Sequence, residues 1–326
     1  MKLASLKSSN QRDGKLIVVN RALTQCADAS DIAPNLREAL ENWSEVHGRL
    51  QKRAQDLESG KVEAFPYDET RLMSCLPRTW LFADGSAFIY HVKLVRMARK
   101  APLPETLTTV PLMYQAECAR FLDPLEDIPQ RDFAHGTDFE GEVGVITDFV
   151  PMGTTPEQAL EKIRLVVLIN DVSLRGLIPD ELAQGFGFFQ SKPSSALSPI
   201  ALTVDELGDG WREGRLHFPL NVKLNGQFFG SANAGSMHFH FGHLIAHAAK
   251  TRDLQPGTLI GSGTVSNEDH SKGSSCLAEK RMIETIEQGS PKTPFMKEGD
   301  TIEISMQNEK GQDLFGRIFQ KVKKVP

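Results

Sequence analysis

The chain of 326 residues is 40% hydrophobic and 24% charged. That length suits two modest domains or one large one, and no low-complexity tract interrupts it. Lys and Arg number 37 against 42 Asp and Glu, a formal charge of −5, and with no basic block to neutralise phosphates, nucleic acid is excluded as a partner.

Residues 1 to 25 predict a short β unit, because the β-branched run Lys15 to Val19 follows the turn signal Asp13-Gly14. A helix is expected from Pro34 to Gly60, where Leu36, Leu40, Trp43, Val46, Leu50, Ala54 and Leu57 recur at three- and four-residue steps. From Phe82 onward, short apolar stretches broken by Gly, Pro, Asn and Asp predict strands. These fall at Gly141 to Thr147, Leu165 to Ile169, Phe218 to Leu224, around Leu259, Thr301 to Ser305 and Leu314 to Lys321. Only two further helices are expected, Pro156 to Arg164 and Phe241 to Lys250, and Asn225-Gly226 marks a tight hairpin. The sum is a β-rich α+β protein, with a small N-terminal α/β domain over residues 1–75 and a larger domain over 76–326. No apolar run is long enough to span a bilayer, and Met1 to Asn20 lacks the apolar stretch of a secretory signal. Cys26, Cys75, Cys118 and Cys276 are widely spaced thiols rather than a disulfide frame, so a reducing cytoplasm is the expected compartment.

Four segments carry chemistry-bearing residues. Glu140 and Glu142 flank Gly141 at the start of a strand, where side chains two apart share a face; a divalent cation would turn their repulsion into binding. A lone pair of this kind is more often simply solvated. The apolar strand from Leu165 delivers Asn170 and Asp171 at its end, so Asp171 is either a third oxygen ligand or an Asx turn. Phe82-Ala83-Asp84 leads to His91, whose imidazole suits proton transfer near neutrality or a structural place beside apolar neighbours. Gly257 to Thr264 alternates glycines that let backbone amides approach an anion, without the Lys-Ser or Lys-Thr of a phosphate loop. The histidines at 238, 240, 243 and 247 pose a competing zinc site, but no Glu completes a His-Glu-x-x-His pattern, and a packing helix is the better reading.

In this order the segments resemble the fumarylacetoacetate hydrolase family over most of residues 76 to 326. Glu140-Gly141-Glu142 is similar to its acidic strand, Asn170-Asp171-Val172-Ser173-Leu174-Arg175 to its Asn-Asp-x-Ser-x-Arg segment, and residues 261 to 264 to its Gly-Ser-Gly-Thr loop. The seven-residue step from Asp84 to His91 resembles that of the hydrolase for which the family is named. The resemblance implies a mixed β-roll catalytic domain and a homodimer. It also implies Asp84, Glu140, Glu142 and Asp171 as ligands of Mg²⁺ or Ca²⁺, with Mn²⁺ as a further candidate. His91 would activate water, Glu279 would orient it, and Lys192 would sit near the metal and the oxyanion. Tyr114, Thr264 and Ser86 correspond to substrate contacts, and Lys100 stands where a substrate-binding Arg is usual, losing that residue's two-pronged grip on a carboxylate.

The activity implied is metal-dependent hydrolysis of a carbon–carbon bond in a 1,3-diketo acid. The candidates are fumarylacetoacetate, as in tyrosine and phenylalanine breakdown, or a related acylpyruvate. Two alternatives stand beside it: a decarboxylase, hydratase or lyase acting through an enolate, and a noncatalytic protein that binds metal and ligand.

Overall fold

In the computed structural model, which describes residues 1–98 and 101–326, the chain opens with an antiparallel meander of β1 (Lys2–Leu6), β2 (Lys15–Val19) and β3 (Gln25–Asp28). The expected long helix is two helices, α1 (Leu36–Glu41) and α2 (Trp43–Glu58). Asn35 caps α1 by accepting from the Glu38 amide, while Asn42 adopts φ −120° and ψ 30° and separates the two. An Asn leaves helical geometry more readily than the leucines around it. Apart from the partly buried Ala54, the predicted stripe is nonetheless buried, Leu36, Leu40 and Leu50 almost completely, and each such leucine contributes about 1.5–3 kcal/mol.

Next come β4 (Phe65–Pro66), β5 (Phe82–Gly85), α3 (Ile89–Ala98), β6 (Met113–Ala116), β7 (Ile128–Gln130), β8 (Thr137–Asp138) and β9 (Gly141–Thr147). They are followed by α4 (Pro156–Leu160), β10 (Ile163–Asn170), β11 (Ser173–Leu174), α5 (Ile178–Ala183), β12 (Ala196–Leu197) and β13 (Ile200–Thr203). A short ribbon, β14 (Trp211–Arg212) and β15 (Arg215–Leu216), precedes the hairpin β16 (Pro219–Leu224) and β17 (Gln227–Asn233). The chain closes with α6 (Phe241–Ala248), β18 (Leu259–Gly261), α7 (Leu277–Gln288), β19 (Thr301–Met306) and β20 (Ile318–Lys324).

The larger sheet runs β4-β3-β2-β1-β13-β10-β9-β18-β5-β6, with β12 beside β10, and the smaller runs β17-β16-β19-β20-β7. Pairing of β1 with β13 makes the N-terminal strands an extension of the main sheet. One face of β9 packs Val143 and Val145 into a core shared with Leu220, Val222, Ile302 and Ile304 of the smaller sheet. The opposite face packs Ile146, with Leu165 and Ile169 of β10, into a core shared with α1 and α2. Burial on both faces is why these strands are continuously apolar. The fold is the β-rich α+β arrangement expected.

Three helices depart from expectation: α3, α5 and α7. Along α7 the buried positions Leu277, Glu279, Met282, Ile283 and Glu284 include two glutamates, which interrupt the apolar stripe that identifies a helix in sequence. The residues of α3, Ile-Tyr-His-Val-Lys-Leu-Val, are β-branched and aromatic enough to read as strand. The helix expected over Pro156 to Arg164 ends at Leu160, because β10 begins at Ile163. The last expected strand starts at Ile318 instead of Leu314. The hairpin forms as expected, with φ of +52° at Asn225 and +73° at Gly226.

The histidine-rich stretch forms the start of α6, with His240 at its N-cap. The rings of His240 and His243 lie 3.8 Å apart, and neither Nδ1 has a hydrogen-bond partner. Burial, followed by the charges of His243 and Arg215, pulls His240 down to about 4. No helix among the described residues is long and apolar enough to cross a membrane, and all four cysteines are free thiols.

Two outcomes follow from this packing. Between the ordinary imidazole value and about 4, the unfolded chain takes up a proton at His240 that the folded chain refuses, so stability falls as pH drops through that window. His240→Asn should flatten the stability profile there; an unchanged profile by urea unfolding at stepped pH would contradict the burial argument. Gly230 of β17 lies opposite Gly273, and a Cβ on it would come within 2.1 Å of the Ser274 carbonyl oxygen. Gly230→Ala should therefore cost about 1–3 kcal/mol, seen as a lower thermal midpoint.

Candidate metal centre and active site

Strand register gathers the predicted acids. β9 pairs with β10 on one side, Gly141 opposite Asn170, and with β18 on the other, Gly144 opposite Gly261. β18 runs parallel to β5 with Gly261 opposite Asp84. Asp84, Glu142 and Asp171 therefore meet, with one carboxylate oxygen from each within 4.8 Å of the others. All three are buried. Gly261 leaves the necessary space, since a Cβ there would stand 2.2 Å from Asp84 Oδ1 and 3.1 Å from Glu142 Oε2.

Burial, then the Asp84 and Asp171 charges, push the Glu142 carboxyl well above its usual range; burial and Asp171 do the same to Asp84. Neither oxygen of Glu142 has a hydrogen-bond partner. Buried acceptors left without donors are costly, and a divalent cation satisfies them. A donor set made only of carboxylates fits a hard ion such as Mg²⁺, Ca²⁺ or Mn²⁺ better than one that seeks thiolate or imidazole. Among the described residues this is the one such acidic or histidine cluster of three, and the His240–His243 pair gains no third ligand.

Glu140, the fourth expected acid, has protein donors around it. Its Oε1 accepts from Ser173 Oγ at 2.6 Å and Lys192 Nζ at 2.8 Å, and its Oε2 accepts from Thr264 Oγ1. Arg175 Nη2 lies 2.9 Å from Oε1, a charge pair without hydrogen-bond alignment. Burial opposes the Glu140 charge, but Arg175 and Lys192 outweigh it and hold the carboxyl well below its usual range. Glu140 thus anchors the donors beside the other three acids and lies outside their cluster. Lys192 also donates to Asp171 Oδ2; burial opposes its charge, while Asp171 and Glu140 raise its ammonium above the ordinary value. Asp171 further accepts from Tyr114 Oη at 2.7 Å and Ser195 Oγ at 2.6 Å.

His91 and Glu279 come from different helices. His91 Nδ1 on α3 lies 3.0 Å from Glu279 Oε2 in the first turn of α7. Glu279 is fully buried, and its amide donates to the sulfur of Cys276, which caps the helix. Leu94, Met282 and Ile283 pack between the helices. With Nδ1 committed to the carboxylate, the imidazole is fixed in orientation and Nε2 remains for proton transfer.

A cavity of about 270 Å³ joins the two halves: Asp84, His91, Tyr114, Glu140, Lys192 and Thr264 all line it, and Ser86 stands at its wall. Lys100 lies outside the described residues. Arg96, Arg175 and Ser195 had no role in the sequence reading. Arg175 was visible only as the last residue of a motif, and Arg96 enters the cavity wall because α3 is a helix.

Thermal unfolding in chelator and in millimolar Mn²⁺ or Mg²⁺ tests the metal centre. A cation at a hundred times its Kd should stabilise the protein by about 2.7 kcal/mol. In Glu142→Gln the cation-dependent shift should vanish, while the melting point in chelator stays level or rises because one repelling charge is gone. A drop in chelator equal to the loss in Mn²⁺ would mean that Glu142 serves packing alone.

Residues 81–323 match the family described as Fumarylacetoacetate (FAA) hydrolase C-terminal, and residues 1–78 match Fumarylacetoacetase N-terminal domain 2. The 2,4-didehydro-3-deoxy-L-rhamnonate hydrolase of Sphingomonas sp. (strain SKA58) is 26% identical over 210 residues, which span 63% of this chain and 63% of that relative. Two solved structures share the fold. Maleylpyruvate hydrolase from Sphingobium sp. SYK-6, in complex with manganese(II) ion and pyruvate, is 16% identical with a TM-score of 0.66 and covers 100% of both chains. The 2-hydroxyhepta-2,4-diene-1,7-dioate isomerase from Mycobacterium marinum is 15% identical with a TM-score of 0.62, covering 99% of this chain and 98% of that one. With matches along nearly its whole length, the chain belongs to the fumarylacetoacetate hydrolase family.

Proposed function

We propose that the protein is a divalent-cation-dependent hydrolase that cleaves the bond between the distal carbonyl carbon and the adjoining CH₂ of a 1,3-diketo acid, with acylpyruvates as the first substrate class. The carrying observation is that Asp84 of the acidic cluster and His91, held by Glu279, line one cavity. Asp84, Glu142 and Asp171 are the proposed ligands, and the ion, once bound, would draw electrons from two chelating substrate oxygens. Acylpyruvates come first because the related fold named maleylpyruvate hydrolase carries manganese and pyruvate. Fumarylacetoacetate, in aromatic amino-acid breakdown, belongs in the same assay panel.

His91 Nε2 removes a proton from water as its oxygen bonds to the distal carbonyl carbon, while Glu279 steadies the imidazolium that forms. Lys192 has one N–H beyond the two given to Glu140 and Asp171, and with it meets the developing oxyanion. The carbon–carbon bond then breaks, its electron pair passing to the departing enolate, and the proton on His91 completes that product while the acyl part leaves as a carboxylate. Arg96, with Ser86 and Tyr114 nearby in the wall, is positioned for the substrate's acid end, the role assigned in sequence to Lys100. The same reading includes a catalytic domain beginning near residue 76, a homodimer and a reducing compartment.

His91→Ala should lower kcat for acylpyruvate hydrolysis by about 100-fold or more and leave the Mn²⁺-induced thermal shift in place. Reaction in ¹⁸O-labelled water should place one label in the new carboxylate. Turnover without label would instead indicate a lyase or isomerase.

A further inference from the structure

A second cavity, about 370 Å³, lies beside the first and shares Val95, Arg175 and Ile178 with it. We infer that this space receives an extended apolar acyl chain, so that the preferred substrates are acylpyruvates with alkyl or aryl tails of several carbons; the inference rests on the hydrolase reading above.

The path follows from where the chemistry must occur. The carbonyl attacked by water lies next to His91, and the group it carries must leave that point in some direction. Val95 stands one turn further along α3 from His91, in the wall of both cavities, so it marks the route between them. Beyond it the walls are apolar: Pro179, Ala278, Met282, Pro291 and Phe295. Two charged groups line this cavity, Arg175 and Arg281. Arg175 is bound to Asp138 at 2.8 Å and paired with Glu140. Arg281 lies 4.3 Å over the Phe295 ring and donates to the Thr293 carbonyl.

Most of this wall is hydrocarbon, and a hydrocarbon tail would lose only water there; the one described lining cation without a carboxylate partner, Arg281, is drawn onto the Phe295 ring and the Thr293 carbonyl. The volume corresponds to on the order of ten water-sized groups at about 30 Å³ each. Met97, at the rim, is 54% exposed, apolar surface that a longer tail would cover. Part of the wall comes from α3 and α7, the helices that carry His91 and Glu279, so a bound chain would also bear on the pair proposed for the proton transfer.

The test is calorimetric titration of the Mn²⁺-loaded protein with pyruvate and with 2-oxooctanoate, alongside hydrolysis of acetylpyruvate and octanoylpyruvate. 2-Oxooctanoate should bind at least about tenfold more tightly than pyruvate, since each buried CH₂ favours binding, and octanoylpyruvate should show a matching gain in kcat/KM. Met282→Trp, or Thr285→Trp if the first fails to fold, should remove the gain in binding. Equal Kd values for the two oxo acids, or an advantage that survives both substitutions, would overturn the inference. Absence of hydrolysis with every acylpyruvate would sink the proposed function, yet the two Kd values would still decide the apolar site.

Discussion

Everything in this protein's candidate site depends on holding like charges together where water does not screen them. Five buried carboxylates, Asp84, Asp138, Glu140, Glu142 and Asp171, surround only two cationic side chains, Arg175 and Lys192, both committed by direct contacts. Coulomb repulsion at these separations costs several times more than it would in water. The fold divides the problem in two. Glu140 and Asp138 are neutralised by protein cations and Asp171 shares Lys192, while Asp84 and Glu142 face Asp171 and each other, with no ion pair of their own among the described residues, across the space that Gly261 leaves open. The imbalance is local, and a doubly charged ion is its natural counterpart.

The orientation of His91, the proposed base, is set by helix packing. The His91–Glu279 contact joins α3 to α7 through the Leu94, Met282 and Ile283 cluster. The acidic cluster belongs to the middle of the main sheet, and the His91–Glu279 pair to a seam between helices. The two sets of residues therefore respond differently to perturbation: register holds the acids, and side-chain packing holds the imidazole.

Much of this was legible in the sequence, for identifiable reasons. β9 and β10 were readable because strands buried on both faces are continuously apolar, and Glu142 and Asp171 were conspicuous at the ends of such runs. Asp84 and His91 stood out because their spacing resembles the family's, but the helix that carries His91 did not, because Ile89, Tyr90, Val92 and Val95 in its first seven positions read as strand. Glu279 was identified without its helix, since Glu279 and Glu284 break the apolar stripe of α7. Glu140 was expected beside Glu142 as a ligand from strand alternation; the partners that draw it aside, Ser173, Arg175, Lys192 and Thr264, come from distant segments that alternation does not register. Arg96 was invisible for a similar reason: its place depends on a helix that periodicity did not reveal.

The parallel pairing of β5 with β18 carries a consequence for how the molecule forms. Gly263 donates its amide to Asp84 across 179 positions of chain, and β9 needs β18 to complete its second edge. During synthesis, β5 and β9 must wait beside a missing strand until β18 has emerged from the ribosome. Such long-range closure raises contact order and slows folding, and exposed edges invite pairing with other chains. A nascent chain stalled before residue 259 would therefore be a stronger candidate for chaperone capture than one stalled after Thr264.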